Sequence, residues 1–93
     1  MKIKFRIEKY PKKEFEHKEF FELLFKKICD TPINYPIVPV KGMFFELSSF
    51  TRQFKLTEEE SDSLFDLSFE VDSVTLYQNY VRVSLDFDDH HFI

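Results

Sequence analysis

The sequence has no alanine and no tryptophan, and only one glycine and one cysteine among 93 residues. Each scarcity excludes something. A lone cysteine, Cys29, cannot form an internal disulfide, so the chain is not a disulfide-stapled domain of an oxidising compartment. A lone glycine, Gly42, cannot supply a glycine-rich phosphate loop. No apolar run approaches the ~20 residues of a membrane span. Lys2, Lys4 and Arg6 alternate with Ile3, Phe5 and Ile7, which is unlike the continuous apolar stretch of a signal peptide. The expected location is cytoplasmic. Ser48, Ser49 and Ser61 stand in no nucleophile-elbow motif. No catalytic residue, cofactor or small-molecule substrate is expected.

What the chain has in excess is phenylalanine: 13 Phe, with 4 Tyr. Phe buries a large area per residue, so few elements are needed to close a core. A length of 93 residues suits one domain spanning 1–93. Such a small interior cannot hide every ring, and a ring left outside would mark a contact site.

The pattern along the chain predicts an α+β fold. Ile3, Phe5 and Ile7 alternate with charged residues, giving a strand over 2–10 that ends at Pro11. Phe20, Phe21, Leu24, Phe25 and Ile28 recur at three and four, giving an amphipathic helix over 13–29, with Glu14–Lys18 and Glu22–Lys26 as supporting i,i+4 pairs. Pro32, Pro36 and Pro39 make 30–42 an extended crossover, and Gly42 marks a turn. A short strand over 43–48 faces Met43, Phe45 and Leu47 inward. Residues 49–56 fit a helical turn or a strand, and the helical turn is favoured. Thr57-Glu58-Glu59-Glu60 is a capping box opening a helix over 58–66.

Residues 67–88 predict a hairpin. A turn at Gln78-Asn79 sets Leu76 opposite Val81 and Val74 opposite Val83. The alternation then slips by one at Asp72-Ser73, and one β-bulge there restores Val71 opposite Leu85. Asn79 suits the left-handed conformation that tight hairpin turns require. The expected architecture is a small antiparallel sheet of three to four strands on one amphipathic helix, in the order β-α-β-(α)-β-β. An SH3-like barrel built on the C-terminal hairpin is the alternative.

Charge is unevenly spread. Residues 1–27 hold nine Lys/Arg against five Glu, while residues 57–93 hold ten Asp/Glu against one Arg. Two segments of net +4 and −9 on different faces would make the molecule a dipole. The outward hairpin face is expected to carry Glu70, Thr75, Tyr77, Tyr80, Arg82, Ser84 and Asp86. Glu70 and Asp86 fall opposite each other, an arrangement that costs up to about 1 kcal/mol. A destabilising pair points to a use. Glu70, Asp72, Tyr77, Tyr80, Asp86 and Asp88 are therefore the expected contacts to a larger protein with a basic surface, such as a nuclease or ribonucleoprotein; the alternative is a solvated acidic face that keeps a Phe-rich domain soluble. A second reading gives direct nucleic-acid contact to Lys2, Lys4, Arg6, Lys9, Lys12 and Lys13, with Phe5 and Tyr10 interleaved. A third makes the chain a self-associating subunit. Asp86, Asp88, Asp89, His90 and His91 are metal-ligand types, but adjacent histidines on a regular strand point apart. No metal site is expected, and the tail is read as a frayed acidic end. Cys29 and His17 lie about 18 Å apart along a continuous helix and form no nucleophile–base pair.

In size, acidity and lack of enzyme motifs, the chain is similar to small stand-alone proteins of phages and mobile elements, anti-CRISPR inhibitors among them. The likeness is one of class. It implies inhibition of a nucleic-acid-handling machine and assigns no residue.

Overall fold

A computed structural model describes all residues, Met1–Ile93. Its elements are β1 (Lys2–Ile7), α1 (Lys18–Asp30), β2 (Ile33–Asn34), β3 (Phe44–Phe45), a 3₁₀ turn (Leu47–Phe50), α2 (Thr51–Phe54), α3 (Glu58–Leu64), β4 (Phe69–Leu76) and β5 (Val81–Asp86). The fold is α+β, but the sheet has five strands in the order β2-β1-β5-β4-β3. It is also mixed, because β1 pairs with β5 in parallel. This corrects the expected antiparallel sheet of three or four strands. Alternation fixes which face a residue takes, and parallel and antiparallel neighbours share that period of two. The direction of a partner is not written in it. The sheet ends in two separate edges, β2 and β3, so the barrel alternative also falls.

The hairpin forms in the expected register. Leu76 faces Val81, Val74 faces Val83, Val71 faces Leu85 and Glu70 faces Asp86, with the irregularity between Val71 and Ser73. The turn differs in one respect. Lys55 is the only non-glycine residue at positive φ, so Asn79 does not use the left-handed conformation. Lys55 uses it at the end of α2. There the Leu56 N–H donates to the Thr51 carbonyl and the Lys55 N–H to the Arg52 carbonyl, the two bonds of a Schellman closure. Gly42 takes φ +89° as its turn requires.

The capping box of α3 is complete. The Thr57 hydroxyl accepts the Glu60 N–H at 3.1 Å, and Glu60 Oε1 accepts the Thr57 N–H at 2.8 Å. The same oxygen accepts Lys27 Nζ at 2.9 Å, which ties α3 to α1. Together these bonds hold the Glu60 carboxyl below the usual carboxylate range, with the Thr57 backbone bond the largest cause.

The helix α1 starts at Lys18, five residues later than expected. Residues 12–17 form turns instead, and these bring the Phe15 ring onto Phe21 and Phe92 at 5.7 Å each. Aromatic packing here outweighs helix propensity. The i,i+4 pairs change accordingly. Lys18 pairs with Glu22 at 2.7 Å and Lys26 with Asp30 at 2.5 Å, in place of Glu14–Lys18 and Glu22–Lys26.

Leu24, Phe25 and Ile28 of α1 are buried, as are Ile3 and Phe5 of β1, Val83 and Leu85 of β5, and Phe69 and Val71 of β4. Phe25 is a hub: its ring centroid lies 5.6–6.3 Å from those of Phe21, Phe69, Phe87 and Phe92. Leu47 and Phe54 complete the core from the 3₁₀ turn and α2. No charged or polar residue is buried. No helix is long and apolar enough to cross a membrane.

Candidate functional site

With the apolar side chains of the sheet turned to the core, the opposite face is left polar. Register places its residues in rows. Lys4, Arg82 and Thr75 form one row, and Arg6, Ser84 and Ser73 the next. Asp86, Glu70 and Phe44 form a third. The basic strand and the acidic hairpin therefore share one surface. Parallel pairing of β1 with β5 sets Lys4 beside Arg82, so the outer face is graded: basic at the hairpin tip and acidic at the far end.

At the acidic end a shallow cleft of about 240 Å³ is lined by Phe44, Ser68, Glu70, Asp86, Phe87 and Asp88. Three carboxylates and the exposed Phe44 ring thus surround one opening, with the buried Phe87 beneath it. Lys9 reaches it from the side, 3.4 Å from Asp86 and 4.0 Å from Asp88, and lies 5.7 Å from the Phe87 ring. Glu70 forms no ion pair. Phe44 is two-thirds exposed at 66%. The sequence carried the signal for Phe44, since inward Met43, Phe45 and Leu47 leave Phe44 outward, but the ring gained meaning only when β3 paired with β4. Asp72, the extra residue of the bulge, is exposed and lacks a register partner. It stands outside the cleft.

At the tip, Tyr77 and Tyr80 stack with centroids 4.7 Å apart and planes at 13°. Lys4 Nζ lies 4.3 Å from the Tyr80 ring and Arg82 Cζ 5.5 Å from the Tyr77 ring. The two tyrosines therefore belong with the basic end and not with the acidic cleft. Arg82 Nε is buried and has no hydrogen-bond partner. Neither Lys4 nor Arg82 has a carboxylate within 4.0 Å.

Lys2, Lys4, Arg6, Lys9, Lys12 and Lys13 do not form one surface. Lys2, Lys4 and Arg6 share the outer side of β1, with Arg6 paired to Glu8. Lys9 serves the acidic cleft. The backbone of Lys12 bonds His91, and Lys13 sits on an exposed turn. Phe5 is buried in the core and Tyr10 is exposed beyond the end of β1, so neither stacks beside these cations.

The tail is not frayed. Pro11 and Phe92 form an antiparallel bridge, Tyr10 and Ile93 exchange backbone bonds of 2.9 Å in both directions, and the Lys12 N–H donates to the His91 carbonyl at 2.7 Å. Residues 89–92 form a turn closed by the Phe92 N–H to the Asp89 carbonyl at 3.1 Å. Donor atoms of Asp89, His90 and His91 lie within 4.8 Å of one another.

Cys29 is half-buried on α1, in a groove with Ile7, Tyr10, Pro11 and Phe25. Burial pushes its thiol up from the ordinary value, against a smaller opposing effect of a hydrogen bond with the Ile7 backbone. A raised thiol pKa is the reverse of an activated nucleophile.

Comparison of the chain with protein-family models, with curated proteins and with solved structures finds no match.

Proposed function

We propose that the protein is a non-catalytic binder that docks a basic surface of a larger protein through the acidic end of its outer sheet face. The observation that carries this reading is the cleft where Glu70, Asp86 and Asp88 converge beside the exposed Phe44 ring. Carboxylates next to an exposed aromatic ring suit a lysine or arginine side chain, which gains ion pairing and ring contact together. Glu70 is held opposite Asp86 without a cation of its own, and an incoming basic side chain relieves that repulsion. Nucleic-acid-handling proteins, nucleases and ribonucleoproteins among them, carry such basic surfaces, so an inhibitor or modulator of one of them is the role this face supports. A cytoplasmic location accords with the single unpaired cysteine.

A hexa-arginine peptide is a direct probe. Titrated into ¹⁵N-labelled protein at low salt, it is expected to shift the amides of Phe44, Glu70, Asp86 and Asp88. Shifts concentrated instead on Glu58, Glu59 and Asp62 of α3, or none at all, would contradict the reading.

One set of observations favours a second reading. Lys4 and Arg82 flank a stacked tyrosine pair, and Arg82 Nε is unsatisfied. Cations beside aromatic faces are the means by which single-stranded nucleic acid is held without sequence preference. This reading requires salt-sensitive binding of an oligonucleotide that is lost in K4Q/R82Q. Absence of binding at low salt removes it.

A further inference from the structure

We infer that Asp89, His90 and His91 form a binding site for a divalent d-block ion, with Zn²⁺ the best match to the donor set. On a regular strand the two adjacent imidazoles would point to opposite faces. They lie instead on the 89–92 turn, and their ring centroids come within 3.9 Å at a tilt of 41°. With the Asp89 carboxylate they offer two nitrogens and one oxygen within 4.8 Å of one another. A tetrahedral ion with bonds of ~2.0–2.1 Å holds its donors roughly 3.4 Å apart. Rotation of the exposed His90 side chain covers the difference. Two imidazoles with one carboxylate match the ligand types Zn²⁺ accepts, and leave a fourth position for water.

Two of the three donors are already held in place. Asp89 Oδ1 accepts the His91 N–H at 2.8 Å, which orients the carboxylate. The His91 ring stacks on Phe15, with centroids 4.2 Å apart and planes at 7°. Phe15 in turn packs on the buried Phe92. Ring orientation and carboxylate direction are thus set by the fold, the kind of support that raises metal affinity. All three histidines of the chain line one cleft of about 520 Å³, where His17 joins Glu14, Glu16 and Lys12. His17 stands edge-on to Phe15 at 5.6 Å. The two glutamates favour a cation there and Lys12 opposes it.

An ion at this turn stabilises the folded chain, because the unfolded tail lacks the arranged donors. It would lock the 89–93 segment whose Phe92 plugs the core. This inference is independent of the acidic cleft.

The test uses protein freed of any affinity tag. Zn²⁺ is titrated against a chromophoric chelator, and Co²⁺ binding is followed by its visible absorption. The expected result is one ion per chain with micromolar or tighter affinity, a Tm that rises on adding Zn²⁺, and an affinity about tenfold or more weaker in D89N and in H91Q. F15L, which removes the stacking partner but no ligand, weakens binding while keeping one ion per chain. Absence of binding at about 100 μM Zn²⁺ would overturn the assignment. So would an affinity weakened by H91Q but unchanged in D89N and F15L, the mark of adventitious chelation by adjacent histidines alone.

Discussion

Replacing Glu70 with glutamine should stabilise the protein. Glu70 and Asp86 are direct cross-strand partners on the outer face, where Cβ atoms stand about 4.5–5.5 Å apart. Two unit charges roughly 6 Å apart in water-like surroundings repel by about 0.7 kcal/mol. Lys9, 3.4 Å from Asp86, offsets part of that. The expected gain for E70Q is therefore about 0.3–0.6 kcal/mol at low salt, a rise of about 1–5 °C in Tm for a domain of this size. The assay is thermal and urea unfolding at low ionic strength and again near 1 M salt, where screening acts over about 3 Å and the gain should vanish. In a K9M background the gain should grow, because the partner that neutralises Asp86 is gone. A loss of stability in E70Q, or a gain that is the same at both salt concentrations, would refute the reasoning.

F25A empties a site bordered by four other rings and should cost about 3–5 kcal/mol, read by urea unfolding or by loss of soluble protein; a cost below 1 kcal/mol would show the core is misassigned. K55G places glycine at the one left-handed non-glycine position and should raise stability by up to about 1 kcal/mol, seen as a higher urea midpoint. Glu60 is held below the usual carboxylate range in the folded state, so its charge contributes stability above its unfolded pKa and loses it as pH falls through the lowered folded value. E60Q, which keeps the capping geometry, should cost a few tenths to about 1 kcal/mol near neutral pH. That difference should close in acid, and a difference constant down to pH 2 would contradict the assignment.

The parts of the fold legible in the sequence are those set by neighbours in the chain. The hairpin register followed from side-chain parity plus a single slip at Asp72-Ser73, and the α3 cap followed from the spacing of Thr57 and Glu60. What escaped depends on partners far apart in the chain. Nothing in the alternation of β1 reveals that its neighbour is β5 or that they run parallel, yet that pairing puts the basic first strand and the acidic hairpin on one face. The late start of α1 depends on Phe15 finding Phe92, and the gathering of His17, His90 and His91 depends on the Pro11–Phe92 bridge. Of the expected contact residues, Glu70, Asp86 and Asp88 converge on the cleft. Tyr77 and Tyr80 belong to the basic tip, and Asp72 is the residue the bulge sets aside.

The central claim concerns which end of the outer face binds. The most direct measurement is capture of partners from a nuclease-treated lysate of the native host by three forms of the protein: wild type, E70K/D88K and K4Q/R82Q. Asp86 retains Lys9 in the first variant, and circular dichroism confirms that each form is folded. The account predicts one protein retained by wild type and by K4Q/R82Q and lost with E70K/D88K. Retention that survives E70K/D88K, or that disappears on nuclease treatment and in K4Q/R82Q alone, would contradict it.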